Sequence, residues 1–303
     1  MRHRLLLLAA LSLPLTVRAQ TAAPTLDEAI PPGANFDKAE FRLWMPPGVD
    51  KVRAIAVLVP GSNGDGRAQV QDTVWQAFAI KHKLALVGVR LTDKQHDQGF
   101  IEEYVNVSKG SGQAFLDALS KFATTSGHAE LNTAPFLLWG MSAGGEFNYE
   151  FTVWKPERVV AFVVNKGNIY YTALAPRAAR DVPGILFVGG KDLEFRTNTI
   201  TGLFAVNRRA GALWALAEEP GAGHIVGRSR DVAIAFYEDM LAARLGDGGA
   251  LKPLTEKSGM LGDIKGKSIG PVGDKAPAVP TAWLPTERVA NMWLAMVTEA
   301  AFK

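Results

Sequence analysis

Pro135-Phe136-Leu137-Leu138-Trp139-Gly140-Met141-Ser142-Ala143-Gly144-Gly145 decides how this chain is read: an apolar run breaks into a Gly-x-Ser-x-Gly turn and continues as a helical pattern. A serine lifted clear of a sheet needs a sharp, strained strand-to-helix turn. Glycine is expected on both sides of Ser142 because a Cβ at position 140 or 144 would crowd the neighbouring strand or helix. The motif therefore places an exposed serine hydroxyl at the tip of a turn, the arrangement that nucleophilic chemistry requires.

Working outward, buried-strand signals and helical patterns alternate. Ala54–Val59 and Leu84–Val89 are continuous apolar runs, as strands buried on both faces should be. Phe136–Trp139, Val159–Val164, Ile185–Val188 and Leu213–Leu216 repeat the signal. Phe41–Trp44 alternates like an early strand. Helical patterns lie between them: through Val70 to Phe78, Phe115 to Phe122, Glu146 to Trp154, near Thr199 to Arg209, and Val232 to Leu245. Strands alternating with helices predict an α/β fold with a mostly parallel, doubly wound sheet. Thr21–Lys38 reads as an irregular lead-in and Asp93–Gly112 as a polar, irregular segment. Residues 246–280, rich in Gly, Pro and Lys, read as a long surface excursion. Beyond it, Thr286 is placed to cap a helix whose face carries Val289, Met292, Trp293, Met296 and Val297, a stripe read as core packing. Residues 20–303 are taken as one domain.

The 303 residues carry 33 Lys and Arg against 30 Asp and Glu. Met1–Ala19 has a basic start, an apolar run from Leu5 to Leu15 and Val17-Arg18-Ala19 before Gln20, which reads as a secretory leader. Arg2, Arg4 and Arg18 belong to that leader, so the remainder is electrically balanced, and no basic cluster points to nucleic acid or to an anionic membrane. The apolar run is too short to span a bilayer, so no integral membrane association is expected, and the location is secreted or periplasmic. Absence of cysteine excludes disulfides, thiolate metal sites and a cysteine nucleophile. No cluster of metal ligands stands out and no cofactor is required. Oligomeric state has no signal here.

A serine hydroxyl needs a base to take its proton, and the base needs a third group to orient it. Beyond Ser142 the chain holds a single histidine, His224, in Pro220-Gly221-Ala222-Gly223-His224. The acid should end a strand lying between the two. Asp192, after Ile185–Val188 and a glycine turn, fits; Glu194 is the fallback, with Glu218 and Glu219 behind it. The oxyanion formed on attack needs N–H donors, for which Ala143 and Ser62, in the glycine-rich loop Pro60–Gly66, are the candidates. Asn63, Tyr170, Tyr171 and Phe195 are candidate substrate-binding residues. His96 is a candidate rim residue, whereas His82 and His128 read as helix-end or loop residues.

With Ser142, Asp192 and His224 in this order, the chain from Phe41 to Leu245 resembles the α/β-hydrolase superfamily. Within it, the chain resembles compact secreted esterases of the feruloyl-esterase, polyhydroxybutyrate-depolymerase and dienelactone-hydrolase kinds. It departs from many of these in carrying Pro60-Gly61 where they have His-Gly, and from dienelactone hydrolases proper in using serine rather than cysteine. The resemblance implies an exported serine carboxylesterase acting on a small-molecule or polymeric ester. A serine peptidase or amidase with the same triad, or a catalytically silent binding protein on the same fold, is the alternative. Only Asn165–Val182 is available after the Val159–Val164 strand, so no large lid domain is expected.

Overall fold

The computed structural model describes residues 25–99, 101–273 and 280–302; the leader read over Met1–Ala19 and residues 274–279 of the Gly/Pro-rich stretch lie outside them. Eight strands form the main sheet: β1 (Thr25–Ile30), β2 (Lys38–Trp44), β3 (Ala54–Val59), β4 (Leu84–Thr92), β5 (Phe136–Gly140), β6 (Val159–Asn165), β7 (Gly184–Gly189) and β8 (Trp214–Glu219). Their order is β1-β2-β4-β3-β5-β6-β7-β8. From β4 to β8 every pairing is parallel, and at the other edge β2 alone runs against the rest, pairing antiparallel with both β1 and β4. The helices are α1 (Thr73–His82), α2 (Ser111–Ser126), α3 (Ala143–Trp154), the short α4 (Arg177–Arg180), α5 (Glu194–Arg209), α6 (Ser229–Arg244) and α7 (Glu287–Val297).

The apolar runs explain the layering. In β3 alternate side chains go to opposite faces: Ile55, Val57 and Val59 join a core with Phe115 and Phe122 of α2, Phe147 and Phe151 of α3 and Phe204 of α5. Ala54, Ala56 and Leu58 join the other core with Trp75 and Phe78 of α1, Phe236 of α6 and Trp293 of α7. All six β3 residues are buried, as a strand covered on both sides must be.

Two segments differ from the sequence reading. Thr25–Ile30, inside the expected irregular lead-in, is edge strand β1, paired with β2 from Thr25↔Trp44 to Ile30↔Ala39. An edge strand is half-exposed and needs no regular apolar alternation, and here the Asp27–Arg42 ion pair at 2.6 Å adds a cross-strand contact that apolar patterning cannot report. Within the expected excursion, β9 (Met260–Asp263) and β10 (Ser268–Pro271) form a hairpin, to which β11 (Ala282–Leu284) adds a third strand. A Cβ at Gly262 would lie 2.9 Å from the Trp293 ring, so this glycine, which reads as a loop former, instead admits an indole.

Helix α7 starts where expected, with the Thr286 hydroxyl accepting a hydrogen bond from Val289 N–H. Its stripe is core: Val289, Trp293 and Met296 are fully buried, and the Trp293 indole donates to the Leu216 carbonyl at 2.8 Å, tying α7 to β8. Trp293→Ala is expected to lower the unfolding free energy by about 3–5 kcal/mol in urea denaturation. A loss below about 1 kcal/mol would show that α7 is not integral to the core.

Candidate active site

At the carboxyl end of β5 the chain turns into α3 through Ser142, held at φ 55° and ψ −127°. A positive φ strains a serine, and the surroundings over-determine it. A Cβ at Gly140 would sit 2.2 Å from the Gly144 carbonyl oxygen, and one at Gly144 would sit 2.3 Å from that of Val59. Ser142 N–H donates to the Asn165 carbonyl at 2.8 Å, clamping the turn to the end of β6. Gly144, Gly145 and Glu146 N–H groups are taken by Met141 and Ser142 carbonyls, which leaves the Ala143 N–H at the helix start with no acceptor among the described residues.

The loops after β7 and β8 lie against one another. Lys191 N–H donates to the Ala222 carbonyl at 2.9 Å and Gly190 N–H to that of Glu219 at 3.0 Å. A Cβ at Gly190 would meet the Pro220 carbonyl at 2.5 Å, so the approach depends on glycine. It brings Asp192 Oδ2 within 2.7 Å of His224 Nδ1. A carboxylate only accepts, so Nδ1 is the donor, and in the neutral ring Nε2 is the nitrogen with the lone pair. Asp192 is 3 % exposed at its side chain; its other oxygen accepts from Leu193 N–H at 2.7 Å and faces the Arg196 guanidinium at 3.3 Å. Burial pushes the Asp192 carboxyl up, but the hydrogen bonds from His224 and Leu193 and the charges of His224 and Arg196 outweigh it and hold it below the ordinary range. Glu194 stands at the start of α5, and Glu219 is engaged elsewhere.

Beneath this shelf Lys166, fully buried and at φ 55°, reaches Asn165 Oδ1 at 3.2 Å and Glu219 Oε2 at 3.3 Å. Glu219 also accepts from Arg228 N–H at 2.8 Å. Burial lowers the Lys166 pKa, against the pull of Glu219 and Asp192. The pair pins the ends of β6 and β8 under the Asp192–His224 contact.

Ser142, Ser62 and His224 line one cavity of about 630 Å³, and the loop after β3 crosses directly over the turn, with Gly61 against Ser142 Cβ. Glu102, Glu146, Asn168 and Arg196 complete its polar wall. Among the proposed substrate contacts, Asn63 is elsewhere: its N–H donates to the Tyr104 hydroxyl, its side-chain oxygen accepts from Asp93 N–H, and it lines an adjoining cavity together with His96. Tyr170 packs edge-on against Tyr149 with its hydroxyl buried. Tyr171 and Phe195 are exposed and lie outside the cavity wall. Aromatic residues were the natural candidates for an acyl pocket, whereas the wall is built of charged and amide side chains. One of these had a sequence signal: Glu146 follows Ser142 by one helical turn, which puts both on the same side of α3. Glu102, Asn168 and Arg196 had none. His82, in the last turn of α1, and His128 pair with Glu238 and Glu130. Among the described residues there is no group of three or more potential metal ligands and no helix long and apolar enough to cross a membrane.

Burial, then the neighbouring Glu102 charge, pushes the Glu146 carboxyl up to about 8 against the Ile169 and Asn168 amides and Arg196. The folded chain thus keeps a proton that the unfolded chain releases near pH 4.5, and stability falls as pH rises from there to about 8. Glu146→Gln, which cannot ionise, should show a shallower fall, raising Tm by a few degrees over wild type at pH 8 and not at pH 5 by scanning calorimetry. Parallel Tm–pH curves for the two proteins would contradict this.

No family model matches the chain, and no curated protein matches it either. Solved structures do. A ferulic acid esterase shares 11% identity over 71% of this chain and 96% of its own, with a TM-score of 0.53. A poly(3-hydroxybutyrate) depolymerase from Bordetella parapertussis shares 17% identity over 75% of this chain and 93% of its own, with a TM-score of 0.52. At these identities the likeness is one of fold.

Proposed function

We propose that this chain, which has the α/β-hydrolase fold, is an exported serine hydrolase that cleaves carboxylic esters through an acyl-enzyme. The reading is carried by one observation: the Asp192–His224 hydrogen bond of 2.7 Å stands in the cavity onto which the strained Ser142 turn opens. The names of the structural neighbours, a ferulic acid esterase and a poly(3-hydroxybutyrate) depolymerase, favour ester over amide substrates.

In this mechanism Ser142 Oγ attacks the ester carbonyl carbon while His224 Nε2 takes its proton. His224 then gives that proton to the departing alkoxide oxygen. Asp192 keeps the proton on Nδ1 and stabilises the imidazolium that forms between the two transfers. The Ala143 N–H, at the positive end of α3, and the Ser62 N–H in the loop above receive the oxyanion. Water then attacks the acyl-enzyme by the same route, restoring Ser142. Lys166 and Glu219 act as positioning residues, holding the two loops in register. The Met1–Ala19 leader carries the protein out of the cytoplasm.

A fluorophosphonate probe should label the wild-type protein and not Ser142→Ala, and Asp192→Asn should lower kcat on p-nitrophenyl acetate roughly 10²- to 10⁴-fold. An unlabelled wild type would remove the reading in favour of a silent fold. Between β6 and β7 the chain contributes one short connection whose only helix is the four-residue α4, too little for a lid domain. Short acyl p-nitrophenyl esters should accordingly turn over faster than the palmitate, and the reverse order would contradict the absence of a lid.

A further inference from the structure

Three polar side chains in the cavity wall are largely buried and turned to the cavity rather than paired with another side chain of the described protein. Glu102 is 7 % exposed, Glu146 2 % and Asn168 6 %, and all three line the cavity that holds Ser142 and His224. Neither carboxyl has a cation within ion-pair distance among the described residues; Glu146 is met by the backbone amides of Ile169 and Asn168 alone. The Asn168 side-chain amide likewise makes no hydrogen bond with the described protein. Arg196 is on the same wall, but its guanidinium stands 3.3 Å from Asp192, and its charge already opposes that carboxylate. Buried carboxyls are ordinarily paired, and a buried amide is ordinarily hydrogen-bonded. A positive charge that also donates hydrogen bonds would satisfy all three, drawing Glu146 into its ionised form as it binds.

We propose that the cavity beside Ser142 receives a primary ammonium group of the ester, on its acyl or its alcohol side, held by Glu102, Glu146 and the Asn168 carbonyl oxygen. The proposal rests on the esterase reading above and narrows its substrate class. Three N–H donors of an ammonium match three acceptors spread over one wall. A quaternary ammonium would call for an aromatic cage, and a sugar for an aromatic face to stack on; among the described residues the one aromatic ring on this cavity's wall is the His224 imidazole. The adjoining cavity shares Ser62, Gly99 and Glu102 and adds Asp37 and Asp93, the latter facing His96 at 3.5 Å, with Lys94 as its other basic group.

The test compares two esters of equal size, p-nitrophenyl 3-aminopropanoate and p-nitrophenyl butanoate, with n-pentylammonium and 1-pentanol as competitive inhibitors to cover the alcohol side. Wild-type protein should favour the ammonium member of at least one pair by about tenfold or more, in kcat/KM or in Ki. That ratio should fall severalfold in Glu146→Gln and in Glu102→Gln, and stay unchanged in Glu157→Gln, an exposed carboxyl before β6 at the opposite end of the sheet. Equal treatment of charged and neutral partners in both pairs, or a ratio indifferent to Glu146 and Glu102, overturns the proposal while ester turnover and fluorophosphonate labelling leave the esterase reading standing. Absence of both turnover and labelling overturns the esterase reading, and this inference with it.

Discussion

Backbone touches backbone where α3 leaves the sheet, and the site depends on that contact. Gly140 lies against the Gly144 carbonyl, and Gly144 against the carbonyls of Val59 and Pro60, at separations that admit no Cβ. The helix can therefore start directly over the ends of β3 and β5, and the residue between the glycines is forced to positive φ. Ser142 occupies that position because the packing around it leaves its backbone no other conformation, and its strain is offset by the buried sheet and helix on either side. A looser turn would let the hydroxyl sink back beside the strand.

The second requirement is met by different means. Asp192 and His224 come from separate loops, and their meeting depends on the ladder of β7 with β8 continuing outward through the Gly190–Glu219 and Lys191–Ala222 hydrogen bonds. Below, the Lys166–Glu219 pair carries charge into a buried place, where its desolvation is compensated by mutual attraction and by Asn165 and Arg228. What such a pair offers in return is geometry: it ties β6, which also clamps Ser142, to the end of β8, from which His224 follows. The turn and the two loops are thus fixed to one another by these backbone hydrogen bonds together with the buried Lys166–Glu219 pair.

Charge sets the character of the cavity. Arg196 meets Asp192, so two carboxyls on the remaining wall have no ion-pair partner among the described residues, and burial drives one of them toward its neutral form. A pocket of this kind discriminates by electrostatics and hydrogen bonding more than by apolar contact, unlike the aromatic-lined pocket that the nearby Tyr170, Tyr171 and Phe195 suggested on sequence grounds.

Fold class was legible in the sequence because a parallel sheet buried on both faces leaves continuous apolar runs such as Ala54–Val59, and because strand-to-helix alternation constrains topology. The Ser142 turn was legible because glycine spacing records backbone contact directly. The one downstream histidine and the strand-end position of Asp192 were enough to nominate a pair that the folded loops bring to 2.7 Å. Edge strand β1 and the β9–β10 hairpin left no such trace, since half-exposed strands satisfy their ladders without an apolar period. Glu102, Asn168, Arg196 and Lys166 were decided by tertiary structure alone, as was the pairing of Glu219, a fallback acid on sequence grounds, with Lys166. Their environment is made by residues tens of positions away, and burial, pairing and pKa are properties of that environment, which local sequence does not encode.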